Sequence, residues 1–218
     1  SPCFLFGSTC VPSSQFGTAD DIPVTASRGS ASEFTVFRPS TGYWFRNYCC
    51  GLVSANWGTA GDIPVPESFG GEASSSYTVF RPSTGTWYIY GFGGSDRYYQ
   101  FGQAGDIPLP GNYSPDWFAD IAVFRPSSGT WFFLKRQNGN PGIDQFSAVQ
   151  FGQEGDKPVP ADYDGDGVLD VAVYRPAIGT WFVLRSSDGQ FQAFKWGIDE
   201  DVPTTGDFDG DGIFDYAV

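Results

Sequence analysis

Two short patterns alternate along this chain, and their regular return limits the folds open to it. The first is an aromatic-glycine pair followed by Asp-x-Pro: QFGTADDIPV from Gln15, NWGTAGDIPV from Asn56, QFGQAGDIPL from Gln100, QFGQEGDKPV from Gln150 and KWGIDEDVPT from Lys195. The second is TVFRPSTGYW from Thr35, TVFRPSTGTW from Thr78, AVFRPSSGTW from Ala122 and AVYRPAIGTW from Ala172. A period of about 45 residues marks a tandem-repeat architecture, in which one supersecondary unit cannot bury its faces until neighbours stack on it.

Within a unit the residues read as four short strands. In the fourth copy, DKPVPADY is strand A, DVAVYRP strand B, PAIG a tight turn, TWFVLRSS strand C and FQAFKWG strand D. The composition agrees, since 21 Phe, 11 Tyr and 7 Trp stand among 29 Gly and 16 Pro, and large aromatics between dense turn residues favour strands over helices. Pro after Arg falls at a strand end, where its missing N–H costs no ladder bond, and the Gly that follows allows a positive φ.

Units of this length carrying four strands predict an all-β fold, a five-bladed β-propeller of four-stranded blades forming one domain over residues 1–218. Blades one to four span about residues 17–57, 58–101, 102–151 and 152–198. The second pattern is missing from the fifth copy because the chain ends at IFDYAV, while SPCFLFGSTCVPSSQFG at its start aligns with strands C and D of a complete unit. Residues 1–16 and 199–218 are therefore expected to complete blade five together, within one chain or between chains.

A formal net charge of −13, with only 12 Lys and Arg, argues against nucleic acid or an anionic membrane as partner. No apolar run approaches the roughly 20 residues that span a bilayer, so membrane insertion is not expected. The start at Ser1-Pro2, without Met or a basic leader, reads as a mature, processed chain. Cys3, Cys10, Cys49 and Cys50 are disulfide candidates with three possible pairings, and an even count fits a secreted, extracellular or cell-surface setting. Zinc is the competing reading, but the chain has no His and lacks two CxxC pairs.

Arg38, Arg81, Arg125 and Arg175 recur on strand B, and Asp21, Asp62, Asp106, Asp156 and Asp201 in the turn of the first pattern. They read as repeat-stabilising contacts, Arg pairing with Asp or stacking on the Trp of the second pattern (Trp44, Trp87, Trp131, Trp181). Those Trp residues read as core.

Metal chemistry is written into DYDGDGVLD, residues 162–170, and DFDGDGIFD, residues 207–215. Carboxylates at positions 1, 3, 5 and 9, a turn Gly at 6 and a backbone carbonyl at 7 suit a hard cation with oxygen ligands. One expected cage is Asp162, Asp164, Asp166 and Asp170 with the Val168 carbonyl. The other is Asp207, Asp209, Asp211 and Asp215 with the Ile213 carbonyl. Four carboxylates in nine residues repel one another unless a divalent ion neutralises them, so Ca2+ is expected at two sites, against the plainer reading of a solvated acidic turn. The flanks are strand-like, which sets the loop in a β-hairpin.

These loops, with the aromatic-Gly and RPxxGTW patterns, resemble the FG-GAP or VCBS propeller repeats of integrin heads, fungal lectins and bacterial surface proteins. The resemblance spans nearly the whole chain, although the calcium motif matches only twice. It implies a propeller whose loop-bound calcium serves adhesion, recognition or scaffolding. Blade three departs from the motif: Asn112, Ser114, Asp116 and Asp120 hold the ligand positions but Trp117 replaces the turn Gly, so any ion there is expected to be weak. Blade two offers Ser68, Gly70, Glu72 and Ser76, and blade one only TASRGSASEF, so neither is expected to bind. Asn112-Tyr113-Ser114 is also a glycosylation sequon.

With no His, no GxSxG and no phosphate-cradling loop, the chain is expected not to be an enzyme. Paired carboxylates can hydrolyse glycosides, but here they are committed to loops and turns. The expectation is a non-catalytic structural or adhesive module, able to polymerise head to tail through strand exchange at the split blade. Its partners would be other copies of itself or an extracellular protein or glycan. The alternative is a lectin using aromatic sites between blades.

Overall fold

The computed structural model describes residues 17–28, 31–48, 51–69, 75–91, 95–116, 118–137 and 140–218. Cys3, Cys10, Cys49, Cys50 and residues 1–16 of the expected split blade lie outside them. Each full repeat forms one four-stranded antiparallel sheet, in the A-B-C-D order expected. The first contains β1 (Ile22–Arg28), β2 (Ala31–Arg38), β3 (Tyr43–Tyr48) and β4 (Gly51–Asn56). The second contains β5 (Ile63–Pro64), β6 (Thr78–Arg81), β7 (Thr86–Ile89) and β8 (Arg97–Gln100). The third has β9 (Ile107–Pro108), β10 (Ile121–Arg125), β11 (Thr130–Gln137) and β12 (Asn140–Gln150), and the fourth β13 (Lys157–Pro158), β14 (Val171–Arg175), β15 (Thr180–Leu184) and β16 (Phe191–Lys195). In the fifth copy, β17 (Thr204–Gly206) pairs with β18 (Asp215–Ala217).

The chain divides into two compact units, residues 1–104 with the first two sheets and residues 105–218 with the rest. Strand A is two residues long in sheets two to four, where a second Pro (Pro66, Pro110, Pro160) follows two residues on, and seven residues long in the first, where Thr25 holds that position. Beyond it the chain leaves the sheet and returns through an isolated bridge, Glu67 with Ser76, Gly111 with Asp120 and Ala161 with Asp170. The segment between these bridged residues is where the acidic motif sits. In the first sheet β1 instead pairs with β2 along its whole length, from Ile22 with Phe37 to Arg28 with Ala31.

The two sequence patterns recur together because they touch. Trp44, Trp87, Trp131 and Trp181 are fully buried, and their indole N–H groups donate to the carbonyls of Trp57, Phe101, Phe151 and Trp196, the aromatic residues of the first pattern, at 2.7 to 3.0 Å. The Gly two residues before each Trp has a left-handed φ and faces the Gly of the first pattern so closely that a Cβ on Gly179 would lie 2.1 Å from the Gly197 carbonyl oxygen. No other residue fits there without moving backbone.

Recurrent arginines pair with recurrent aspartates, as expected. Arg81 Nε and Nη2 meet the two carboxylate oxygens of Asp62 at 2.8 and 2.9 Å, and Arg38–Asp21, Arg125–Asp106 and Arg175–Asp156 repeat the two-pronged geometry. The stacking partner differs from the expected Trp. Each guanidinium lies about 4.4 Å over the next ring along, Phe45, Tyr88, Phe132 or Phe182, because the Trp side chain points to the opposite, core face of the strand.

Candidate metal centres

Both acidic loops fold by the same local rule. In the first, Asp162 accepts backbone N–H bonds from Gly165 and Asp166 on one oxygen and Gly167 on the other, at 2.7, 3.2 and 2.8 Å. In the second, Asp207 accepts from Gly210, Asp211 and Gly212 at 2.7, 3.1 and 3.1 Å. These turns need left-handed residues at positions four and six, which Gly165, Gly167, Gly210 and Gly212 supply with φ between 78° and 90°. At position seven the N–H groups of Val168 and Ile213 donate to Asp166 and Asp211.

The turns gather like charges. Carboxylate oxygens of Asp162, Asp164 and Asp166 lie within 4.8 Å of one another, as do those of Asp207, Asp209 and Asp215. Three carboxylates held this close by backbone donors fit a hard divalent cation with oxygen ligands. Position nine has a second duty. Asp170 is fully buried, with one oxygen accepting from Ser186 N–H at 2.7 Å and the other from Tyr163 N–H at 3.0 Å. Asp215 accepts in the same way from Phe208 N–H at 2.8 Å.

The turn after β15 adds a layer that the motif does not reveal. Arg185 Nε lies 2.9 Å from Asp164, the Ser187 hydroxyl donates to the same carboxylate, and the Ser186 hydroxyl donates to Asp166 at 2.9 Å. Burial would raise the Asp164 pKa, but the Ser187 and Arg185 contacts hold it below the ordinary carboxylate value. Burial raises that of Asp170. The only sequence signal for this layer is RSSDG directly after TWFVL.

Successive loops of the second unit are joined. Phe214 N–H donates to the Asp162 carbonyl at 2.9 Å, and Leu169 N–H donates to the Asn112 carbonyl at 2.8 Å, so the eighth residue of each acidic loop holds the first residue of the loop before it. The Asn112 amide also donates to the Gly167 carbonyl at 2.8 Å, which engages the nitrogen of the sequon. Around it Ser114 donates to Asp120, and Lys135 Nζ reaches the Tyr113 carbonyl at 2.6 Å. Asn112 Oδ1 and Asp116 Oδ2 have no hydrogen-bond partner among the described residues. This third loop thus keeps ligand-type oxygens but sets a lysine beside them. Trp117, Gly70 and Glu72 lie outside the described residues.

No protein-family model matches this sequence, and no curated protein matches it. Solved structures do. A selenomethionine-substituted virginiamycin B lyase from Staphylococcus aureus superposes with a TM-score of 0.58 at 10% identity, over 87% of this chain and 61% of that one. A catalytically inactive histidine-to-alanine variant of virginiamycin B lyase from the same organism, with quinupristin, gives 0.55 at 11% identity, over 83% and 58%. A streptogramin B lyase gives 0.58 at 10%, over 93% and 64%.

The fold is therefore an all-β propeller. The chain spans less than two thirds of the length of each of these proteins. The likeness also corrects the expectation of a chain that is not an enzyme, together with the structural or adhesive module and the lectin built on it: the solved propellers it matches are lyases. At 10 to 11% identity the likeness is one of fold.

Proposed function

We propose that this chain is a calcium-binding propeller with lyase-type activity. The observation that carries the calcium assignment is the convergence of Asp162, Asp164 and Asp166, and of Asp207, Asp209 and Asp215, each trio within 4.8 Å. Calcium, when bound, would neutralise these carboxylates and link turns that already hold one another through Phe214 and Asp162. The same loops support kinship with the FG-GAP or VCBS repeats. The four cysteines support a secreted protein.

Support for the lyase reading comes from the fold likeness alone. The inactive variant among the matched structures has lost a histidine, and this chain has none. Proton abstraction here would fall to a carboxylate, phenol or amine.

Two experiments test the two halves separately. Isothermal titration should show two calcium ions per chain, and absence of saturable binding refutes the metal assignment. Incubation with quinupristin, followed by chromatography with calcium and with EGTA, should show loss of substrate. An unchanged substrate peak at high enzyme concentration rejects the streptogramin-lyase reading without touching the calcium result.

A further inference from the structure

The repeats provide their own control: where one copy departs from the others on the surface, packing common to all copies does not explain it. The second sheet departs at Tyr98. Strand-D residues opposite the ring that carries the arginine are Ser54 against Phe45, Ala148 against Phe132 and Ala193 against Phe182. In the second sheet the pair is Tyr98 against Tyr88. Tyr98 is 61% exposed, so burial does not account for its ring.

Tyr98 closes one side of a cavity of about 260 Å3 lined by Asn56, Trp57, Thr59, Arg81 and Tyr88. Trp57 and Tyr98 stand 6.4 Å apart between ring centres at 31°, and Tyr88 meets Tyr98 edge-on at 5.4 Å. The cavity therefore presents aromatic faces.

Most of its polar groups are engaged. Trp57 Nε1 donates to the Tyr88 carbonyl, the Asn56 amide to the Thr41 carbonyl, and the Thr59 N–H and hydroxyl to Asp62. Arg81 gives its donors to Asp62, Thr59 and the Tyr88 hydroxyl. The Tyr98 hydroxyl makes no hydrogen bond among the described residues, and the Tyr88 hydroxyl accepts from Arg81 without an acceptor for its own proton there. A saccharide, which needs several free donors and acceptors, finds few. A ligand cation would meet the Arg81 guanidinium, already 4.3 Å over Tyr88, and an anion would find that guanidinium committed to Asp62. What remains favourable is a neutral planar ring against the aromatic walls, with one polar group at the Tyr98 hydroxyl.

We propose that this cavity binds a neutral, hydroxylated aromatic ring, the class of a phenol or a tyrosine side chain. p-Cresol is the probe. Chemical shifts of the isotope-labelled protein titrated with it should give a saturable Kd of about 1 mM, as suits so few atoms. The titration is run with EGTA, since the cavity involves neither acidic loop. Tyr98→Ala, which restores the residue of the third and fourth sheets, should weaken binding at least tenfold. Trp57→Phe, which restores the residue of the QFG repeats, should weaken it as well, and serves as the test if Tyr98→Ala does not fold. Phe146→Ala, at an exposed strand-D position of the third sheet, should not. Absent saturation, an unchanged Kd in folded Tyr98→Ala, or tighter binding of methyl glucoside or tetramethylammonium overturns the proposal.

Discussion

Arg38 grips Asp21 with two parallel hydrogen bonds, Nε to Oδ1 at 2.8 Å and Nη2 to Oδ2 at 2.9 Å, and so joins strand B to the turn that opens its own repeat. That contact, set against partial burial and helped by the Thr18 N–H, holds the Asp21 pKa at about 2, below its ordinary 3.8. A carboxyl depressed in the folded state stabilises fully above its unfolded pKa and loses that contribution as pH falls through the folded one. Thermal melting of the native chain should therefore weaken between about pH 4 and 2. In Asp21→Asn the same window should be flatter, and equal slopes for the two proteins would count against the pairing.

Glycines of this chain differ sharply in what they tolerate. Gly179 and Gly189 share a left-handed φ, 59° and 68°, but a Cβ on Gly179 would strike the Gly197 carbonyl at 2.1 Å while one on Gly189 meets open space. Gly189→Ala should cost about 1 kcal/mol of conformational strain. Gly179→Ala must also displace backbone, and about 3 kcal/mol or more is expected. Urea titration of both variants checks the ordering.

The strands of each sheet were legible in the sequence because both patterns carry their own geometry: Pro marks strand A, Gly turns the B–C hairpin, and Trp alternates inward. Pairing of Arg with Asp was legible for the same reason, since both recur at one spacing. The stacking ring was not, because Trp181 and Phe182 are both aromatic and only strand alternation decides which one faces Arg175. The layer formed by Arg185, Ser186 and Ser187 was equally hidden. Its residues are 15 or more positions from the carboxylates they touch and are joined to them only by the fold.

Asp166 and Asp170 should separate the roles of ligand and strut. Asp166 is exposed, whereas both oxygens of buried Asp170 accept backbone N–H groups. Asp170→Asn leaves one of those donors facing an amide NH2, and should lower stability by about 1–3 kcal/mol even in EGTA. Asp166→Asn should leave the EGTA melting temperature nearly unchanged and remove most of the calcium-induced rise. Paired thermal melts, with and without calcium, read both effects.

Arg185 sets a fixed positive charge beside the first loop and occupies an oxygen of Asp164 that a metal would use. Residues 1–16, which align in sequence with strands C and D of a complete repeat, contain no Arg or Lys, so no such charge is expected at the second loop. A divalent ion entering the first loop must displace or tolerate the guanidinium, so the two sites should differ in affinity, the first being weaker. Removing the charge in Arg185→Ala frees Asp164 and abolishes the repulsion. Calcium titration of the variant should therefore show the weaker site tightening about fivefold while the stronger one stays put. Weakening of that site would instead mean that Arg185 holds Asp164 in its binding geometry. Arg185→Lys would then be expected to restore affinity only in part, because an ammonium cannot keep the directed Nε contact.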